Sequence, residues 1–461
     1  MAILEVMKDP NLFGHWFAGD SWTAWKVLLA GLFGLPMTPG QLEIYKRHTN
    51  RDTPPVQAAR EGWLVVGRRG GKSLISALVA VYLACFREYS NALAPGERAT
   101  VMVIAADRKQ ARVVFRYVSG LIEGVPMLAA MVDHQTKESI TLTNQVVIEV
   151  HTANFRAVRG YTIAAAICDE IAFWRSEDSA NPDIEILNWL RPGMTTMQGA
   201  MLLCISSPHS RRGALWESYH RHFGQDADPV LVWQGNTASM NPSVDPQIIA
   251  DAYRDDEAVA AAEYGGEFRR DIESFVSREA IEAVVVPGRY ELPPVSEIRY
   301  RAFVDPSGGT ANSMTLAVGH REDGRIVLDA LRESKLPSSP EQVVREYSSL
   351  MDRYRIRAVT GDRYGGDWPR EQFRNNGIRY DVSDLVKTDL YHELLPSINS
   401  ARIELLDHPR MVGQRLGLER RTARGGRDSI DHGPQGHDDL ANVVAGVHYL
   451  AEKKRSEAFF I

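Results

Sequence analysis

The stretch from Gly62 to Phe86 constrains this chain more than any other. Gly62 to Val66 is a short apolar run that reads as a strand, and it passes directly into Gly67-Arg68-Arg69-Gly70-Gly71-Lys72-Ser73. The apolar stretch Leu74 to Phe86 then reads as a helix. Strand, glycine-rich turn, Lys-Ser and helix is the order that a phosphate-binding loop requires. Glycines let backbone N–H groups curl round an anion, and the helix N-terminus adds the positive end of its dipole. Lys72 is expected to reach the β and γ phosphates of a nucleotide, and Ser73 to ligate its Mg²⁺. The spacing departs from the usual loop at one place: Val66 stands where a glycine is customary, and the glycine comes one residue later at Gly67.

A second signal lies about a hundred residues on. Ile163 to Cys168 is an apolar strand that ends in Asp169-Glu170. A strand-end aspartate can hold Mg²⁺, and a following glutamate can polarise an attacking water. By itself such a pair is a common strand end; behind a P-loop it reads as functional. Met201 to Ile205 is a further strand, ending in Ser206-Ser207-Pro208, where small polar residues could sense a γ-phosphate or simply turn the chain. Val101–Ala105, Val146–Val150 and Val230–Trp233 fit the same sheet, and helical stretches such as 108–122 alternate with strands. The first half is therefore expected to be an α/β domain with a mostly parallel sheet. Upstream, Gln41 in Thr38-Pro39-Gly40-Gln41 carries both a donor and an acceptor suited to an adenine edge, although a surface glutamine explains it equally.

The pattern changes after Phe275–Ser296, a stretch with Pro287, Gly288, Pro293 and Pro294 that reads as a linker. Tyr300–Val304 is a strand ending in Asp305; Met314–Val318 and Arg325–Leu328 follow it with short turns, as an antiparallel meander. The helix Pro340–Arg353 leads to the strand Ile356–Thr360, which ends in Gly361-Asp362. Last come Asp438 and Asp439, at the head of an apolar-periodic helix running to about Glu452. One carboxylate after the first strand, one after the fourth and a pair opening the last helix is the order of a ribonuclease H-like fold. Phosphodiester hydrolysis by two Mg²⁺ or Mn²⁺ ions roughly 3.5–4 Å apart needs carboxylates converging in this way. Each aspartate has a plainer explanation: Asp305 a turn, Asp362 a loop, and one of Asp438 and Asp439 an N-cap. The sequence does not separate these last two neighbours. Glu419–Asp428, rich in arginine and glycine, suits the phosphate backbone of a nucleic acid.

Composition adds bounds. With 461 residues the chain accommodates two domains, and 44% hydrophobic with 24% charged residues excludes a disordered or fibrous class. Three cysteines, none in a Cys-x-x-Cys pair, indicate neither a disulfide framework nor a zinc knuckle and fit a reducing cytoplasm. Residues 1–10 lack the basic and apolar regions of a signal peptide, and the apolar run Val27–Leu35 is too short to span a bilayer, so no membrane association is expected. A net charge of −6 leaves the partner undecided, because a local basic strip suffices to bind DNA.

Taken in order, the P-loop, Arg159-Gly160-Tyr161-Thr162 leading to Asp169-Glu170, Ile205-Ser206-Ser207-Pro208, Glu263–Phe268 and the aspartates ending in Gly436–Asn442 resemble a tailed-bacteriophage terminase large subunit over nearly the whole chain. The resemblance implies an N-terminal P-loop (RecA-like) ATPase and a C-terminal ribonuclease H-like nuclease. Divided accordingly, the chain has a lead segment 1–50, an ATPase domain 51–274, a linker 275–298 and a nuclease domain 299–461. It further implies that Arg68 or Arg69 senses phosphate, that Gly67, Gly70 and Gly71 cradle ATP, that Ser206 and Ser207 couple hydrolysis to movement, and that Gln41 contacts adenine. The implied cofactors are ATP and Mg²⁺ or Mn²⁺. The implied partners are double-stranded DNA, a portal protein on a procapsid, a small terminase subunit and further copies in a ring, a pentamer. The implied place is the cytoplasm of an infected bacterium rather than the mature virion. A helicase–nuclease would need two motor domains, and a transposase has no use for the P-loop; a capsid-vertex component with an inert nuclease is the third alternative.

Overall fold

The computed structural model describes all residues except 154–159, 175–181, 270, 307–312, 336–338, 363–367, 423–427, 434–435 and 454–461. Its described residues form two compact units, divided between residues 271 and 272.

The first unit is built on eight strands. These are β1 (Glu61–Val66), β2 (Ala99–Ala105), β3 (Val132–Gln135), β4 (Ser139–Leu142), β5 (Val146–Thr152), β6 (Thr162–Asp169), β7 (Met201–Ser206) and β8 (Val230–Gly235). They lie in the order β3-β4-β5-β2-β6-β7-β1-β8, parallel throughout except for the joins β3–β4 and β4–β5. The expected parallel α/β sheet is thus present. The central strands are continuous apolar runs because helices cover both faces. Alternate residues of β1 divide accordingly: Leu64 and Val66 face one core, Trp63 and Val65 the other. The first face carries the helices Lys72–Cys85 and Arg108–Glu123, and the second carries Pro182–Met194 and Gly213–His222. The lead segment 1–50 packs on this unit: Trp25, Leu28 and Tyr45, from the helices Thr23–Leu32 and Pro39–Thr49, are fully buried in the first core.

The second unit holds a six-stranded sheet of β10 (Arg301–Asp305), β11 (Met314–Glu322), β12 (Arg325–Ser334), β13 (Ala358–Gly361), β14 (Arg379–Val382) and β15 (Ile403–Glu404), ordered β14-β13-β10-β11-β12-β15. β10, β11 and β12 form the expected antiparallel meander, and β13 and β14 add to the other side of β10 in parallel. This is the ribonuclease H-like arrangement. A smaller antiparallel sheet joins β9 (Ile272–Ser274), β16 (Leu418–Thr422) and β17 (Asp428–His432). The helix Asp439–Glu452 covers the face to which Phe303 points, and Pro340–Arg353 covers the other. One expectation needs correction. The proline-bearing stretch 275–298 does not run as a free linker at its start: Phe275, Val276, Ile281 and Val284 are buried in the second unit's core, with a short helix at Arg278–Glu282. Apolar side chains at these positions overrode the breaker residues that follow them.

Candidate nucleotide site and carboxylate centre

At the carboxyl ends of β1, β6 and β7 the first unit brings together most of its sequence-predicted site residues. β1 lies between β7 and β8, so the loop Gly67–Gly71 opens beside Ser206 and Ser207. Arg69 and Gly71 take positive φ values of 62° and 97°, the second as the N-cap of the helix that begins at Lys72. Trp25 donates its indole N–H to the carbonyl of Gly70 at 2.8 Å. Thr237 Oγ1 donates to the carbonyl of Arg68 and Asn241 Nδ2 to that of Arg69, at 2.7 and 2.8 Å. Three loop carbonyls are therefore held from outside. The N–H groups of the helix's first turn have no intrahelical acceptor, which is the arrangement an anion binds.

Lys72 is buried and works as a bridge. Its ammonium donates to Ser207 Oγ at 2.7 Å and to the Val66 carbonyl at 3.1 Å, and it stands 3.5 Å from Glu170 Oε1. Glu170, at φ 51°, returns to the same place: its Oε2 accepts from the Ser207 N–H at 3.2 Å and lies 3.1 Å from Ser206 Oγ. Loop, strand-end glutamate and both serines are thus one hydrogen-bonded group. Asp169 is 4% exposed, and its Oδ1 is buried without a hydrogen-bond partner. Burial, then the neighbouring Glu170 charge, push its carboxyl up to about 7. An unpartnered carboxylate oxygen at that point fits a divalent cation, whose charge would offset the burial. Ser73 sits half-buried in the first helical turn.

Two residues are committed elsewhere. Arg68 pairs with Glu263. Gln41 closes a capping box: its Oε1 accepts from the Thr38 N–H at 2.9 Å, and its own N–H donates to Thr38 Oγ1 at 3.4 Å.

In the second unit, Asp305 ends β10, and the parallel register Val304↔Gly361 puts Asp362 beside it, one residue past β13. The helix Asp439–Glu452 lies over β10, and its Asn442 donates Nδ2–H to Asp305 Oδ2 at 2.7 Å. Burial pushes the Asp305 carboxyl up to about 7; the Asn442 bond opposes this, and the charges of Asp439, Asp362 and Asp438 add to it. Asp439 is raised too, by burial and then by Asp438. The four aspartates are therefore electrostatic neighbours, as the sequence suggested, and such a set fits divalent cations. The two adjacent members differ in surroundings. Asp438 Oδ2 accepts from Tyr391 O–H at 2.9 Å and lies 3.0 Å from Lys387 Nζ. Asp439 Oδ2 accepts from the Ser313 N–H at 3.4 Å, a longer and weaker contact. Lys387 also reaches Asp431 at 2.8 Å, and ligand atoms of Asp431, His432 and Asp438 lie within 4.8 Å of one another.

Sequence reasoning missed Lys387, Tyr391 and the roles of Asn442 and of Trp25, which reads in the sequence only as a buried aromatic. Asn442 alone had a signal, its i+3 spacing from Asp439 on one helix face; the others come from distant segments. Arg159, Arg424 and Arg427 fall outside the described residues.

Comparison with known proteins follows this division. Residues 51–222 match the family described as terminase large subunit, ATPase domain. No curated protein matches the chain. Among solved structures, the HK97 bacteriophage large terminase is 14% identical with a TM-score of 0.40, over 91% of this chain and 96% of its own. The large terminase nuclease of thermophilic phage G20c is 16% identical with a TM-score of 0.35, over 39% of this chain and 99% of its own. The family match covers the strand, loop, Lys72 and Asp169-Glu170 whose geometry is described above, so residues 51–222 are similar to the ATPase domain of terminase large subunits.

Proposed function

We propose that the chain is an ATP-driven motor that moves viral double-stranded DNA into procapsids and a metal-dependent endonuclease that cuts it from concatemers. The observation that carries the motor reading is the bridge from Lys72 through Ser207 to Glu170. It ties the phosphate-binding loop to the strand end that leads into the helix Gly213–His222, so a change at the nucleotide is felt at Ser206-Ser207.

In this reading Lys72 and the loop amides hold the phosphates, with Gly67, Gly70 and Gly71 allowing the close approach and Arg69 supplying further positive charge. Arg68 serves the phosphates only by leaving Glu263. Glu170 accepts a proton from the attacking water, oriented by Ser206 and Ser207. Ser73 and Asp169 would hold Mg²⁺, which supplies charge neutralisation of the phosphates. Gln41 reaches an adenine edge with its amide N–H₂ while its oxygen keeps the cap. In the second unit Asp305, Asp362 and Asp439 would hold Mg²⁺ or Mn²⁺, which supplies a Lewis acid; Asp438, fixed by Tyr391 and Lys387, orients its neighbour. Portal protein, small terminase subunit and a ring of five copies are the partners this reading entails, in the cytoplasm of an infected cell.

The test is cleavage of plasmid DNA with Mn²⁺ or Mg²⁺ beside DNA-stimulated ATP hydrolysis. Asp305→Asn should abolish cutting and leave hydrolysis, whereas Lys72→Ala should do the reverse. Wild-type protein that never cuts, or an Asp305→Asn variant that cuts equally well, refutes the nuclease half; equal ATP hydrolysis by Lys72→Ala refutes the motor half.

A further inference from the structure

The helix Arg108–Glu123 carries an arrangement of charge that its own fold does not explain. Arg108, Lys109, Arg112 and Arg116 are all exposed. At 100° per residue they fall within about 100° of arc, along about 12 Å of helix. Its opposite side, with Ala111, Val114, Phe115, Val118, Leu121 and Ile122, is buried in the core. Arg108 and Lys109 open the first turn of the helix, where the dipole disfavours cations. Arg108 and Arg112, and Arg112 and Arg116, are like charges at i,i+4, an arrangement that destabilises a helix. No compensation comes from the helix itself. The N-cap Asp107 spends its carboxylate on the N–H groups of Lys109 and Gln110, at 2.7 and 2.9 Å, and Glu123 lies at the far end. Among the described residues none of the four cations forms an ion pair.

We propose that this helix face is a contact surface for the phosphate backbone of duplex DNA. The remainder of the arc is Ser119 and Glu123, with Gly120 at its edge, so it has the charge for a polyanion and no apolar centre of the kind a protein interface buries. With a net charge of −6 on the whole chain, attraction must come from a local patch of this sort. Its place supports the assignment. The helix begins three residues after β2, whose Ile104 lies level with Cys168, the residue before Asp169. The basic face therefore starts at the same sheet edge as the nucleotide site, where a shift at Asp169-Glu170 can displace it.

The inference rests on the DNA-processing reading and is tested apart from it. Full-length protein in EDTA is titrated onto a short fluorescent duplex, and affinity is followed by anisotropy from about 50 to 200 mM salt, the range over which phosphate contacts dominate. Arg112→Gln/Arg116→Gln should bind about tenfold more weakly at the upper end, with a salt slope shallower by about 1.8, the value for two lost phosphate contacts. The loss should be the same for unrelated sequences. The control Arg254→Gln/Arg278→Gln, whose guanidiniums already engage Asp251 and Glu282, should keep the wild-type slope. A variant whose affinity and slope equal those of wild type, or a control that falls as far, overturns this surface while leaving the reading intact. If wild-type protein binds no duplex even at the lowest salt, the DNA-processing reading fails as well.

Discussion

Lys387 Nζ stands 3.0 Å from Asp438 Oδ2, and the buried Tyr391 hydroxyl donates to the same oxygen from the next helical turn. One carboxylate of the adjacent pair is therefore committed to protein partners, while Asp439 keeps most of its acceptor capacity. Burial lowers the Lys387 pKa, but Asp438 and Asp431 outweigh it, so the ammonium is held charged. Asp439→Asn should accordingly abolish Mn²⁺-dependent cutting, and Asp438→Asn should leave a residual rate at least tenfold above it. Single-turnover cleavage of a labelled duplex decides the order; the opposite ranking would make Asp438 the cation ligand.

Gly446 sits where the helix Asp439–Glu452 crosses β10, and a Cβ there would run into the Phe303 ring. Gly446→Ala should cost about 1–3 kcal/mol through overpacking. It should also slow cutting, because it shifts the helix carrying Asp439 against the strand carrying Asp305. Phe303→Leu in the same chain should recover part of the lost Tm. Thermal unfolding of wild type and the two variants checks this, and a Tm for Gly446→Ala equal to that of wild type excludes it.

Asp305, raised to about 7 in the fold, prefers its protonated form there. Its stabilising contribution is fully present below the ordinary carboxylate pKa and is lost as pH rises through about 7. In EDTA, Asp305→Asn, which imitates the protonated acid, should therefore be the more stable protein at pH 8, by about 1–2 kcal/mol. The difference should vanish near pH 4. Tm measured across that window settles the sign; a variant less stable than wild type at pH 8 contradicts it.

Gln41 closes the cap of the helix Pro39–Thr49, so Gln41→Ala should lower stability by about 0.5–1 kcal/mol. Gln41→Glu retains the acceptor and should stay near wild type. If the side chain also reads adenine, Gln41→Glu should narrow the preference for ATP over GTP in equilibrium binding without moving the Tm. Should both variants unfold like wild type, the cap contributes nothing.

Residues whose chemistry is local were legible in the sequence. The strand-loop-helix around Lys72, the strand ending in Asp169 and the meander ending in Asp305 each carry their signal within ten or so residues, and all three are present. The sequence predicts the helix Pro340–Arg353 with the bounds it has in the fold. What escaped depends on partners far along the chain. The antiparallel β3–β4 pair is short and polar, with β3 almost fully outside the core, so period and hydrophobicity say little. β9 exists because β16 pairs with it from about 150 residues away. Lys387, 51 residues before Asp438 in the chain, has no sequence feature that marks it as its neighbour. Phe275 and Val276 group by sequence with the prolines that follow them, though their burial is decided by the core they meet.

Trp25 and Trp22 have a practical consequence. One indole is bonded to the Gly70 carbonyl, and the other ring would meet a Cβ placed on Gly71. Any rearrangement of the loop on taking up or releasing phosphate must disturb an aromatic chromophore at its back. The protein thus carries its own optical reporter. The difference in emission between wild type and Trp25→Phe, among nine tryptophans in all, would follow the loop in real time without a label.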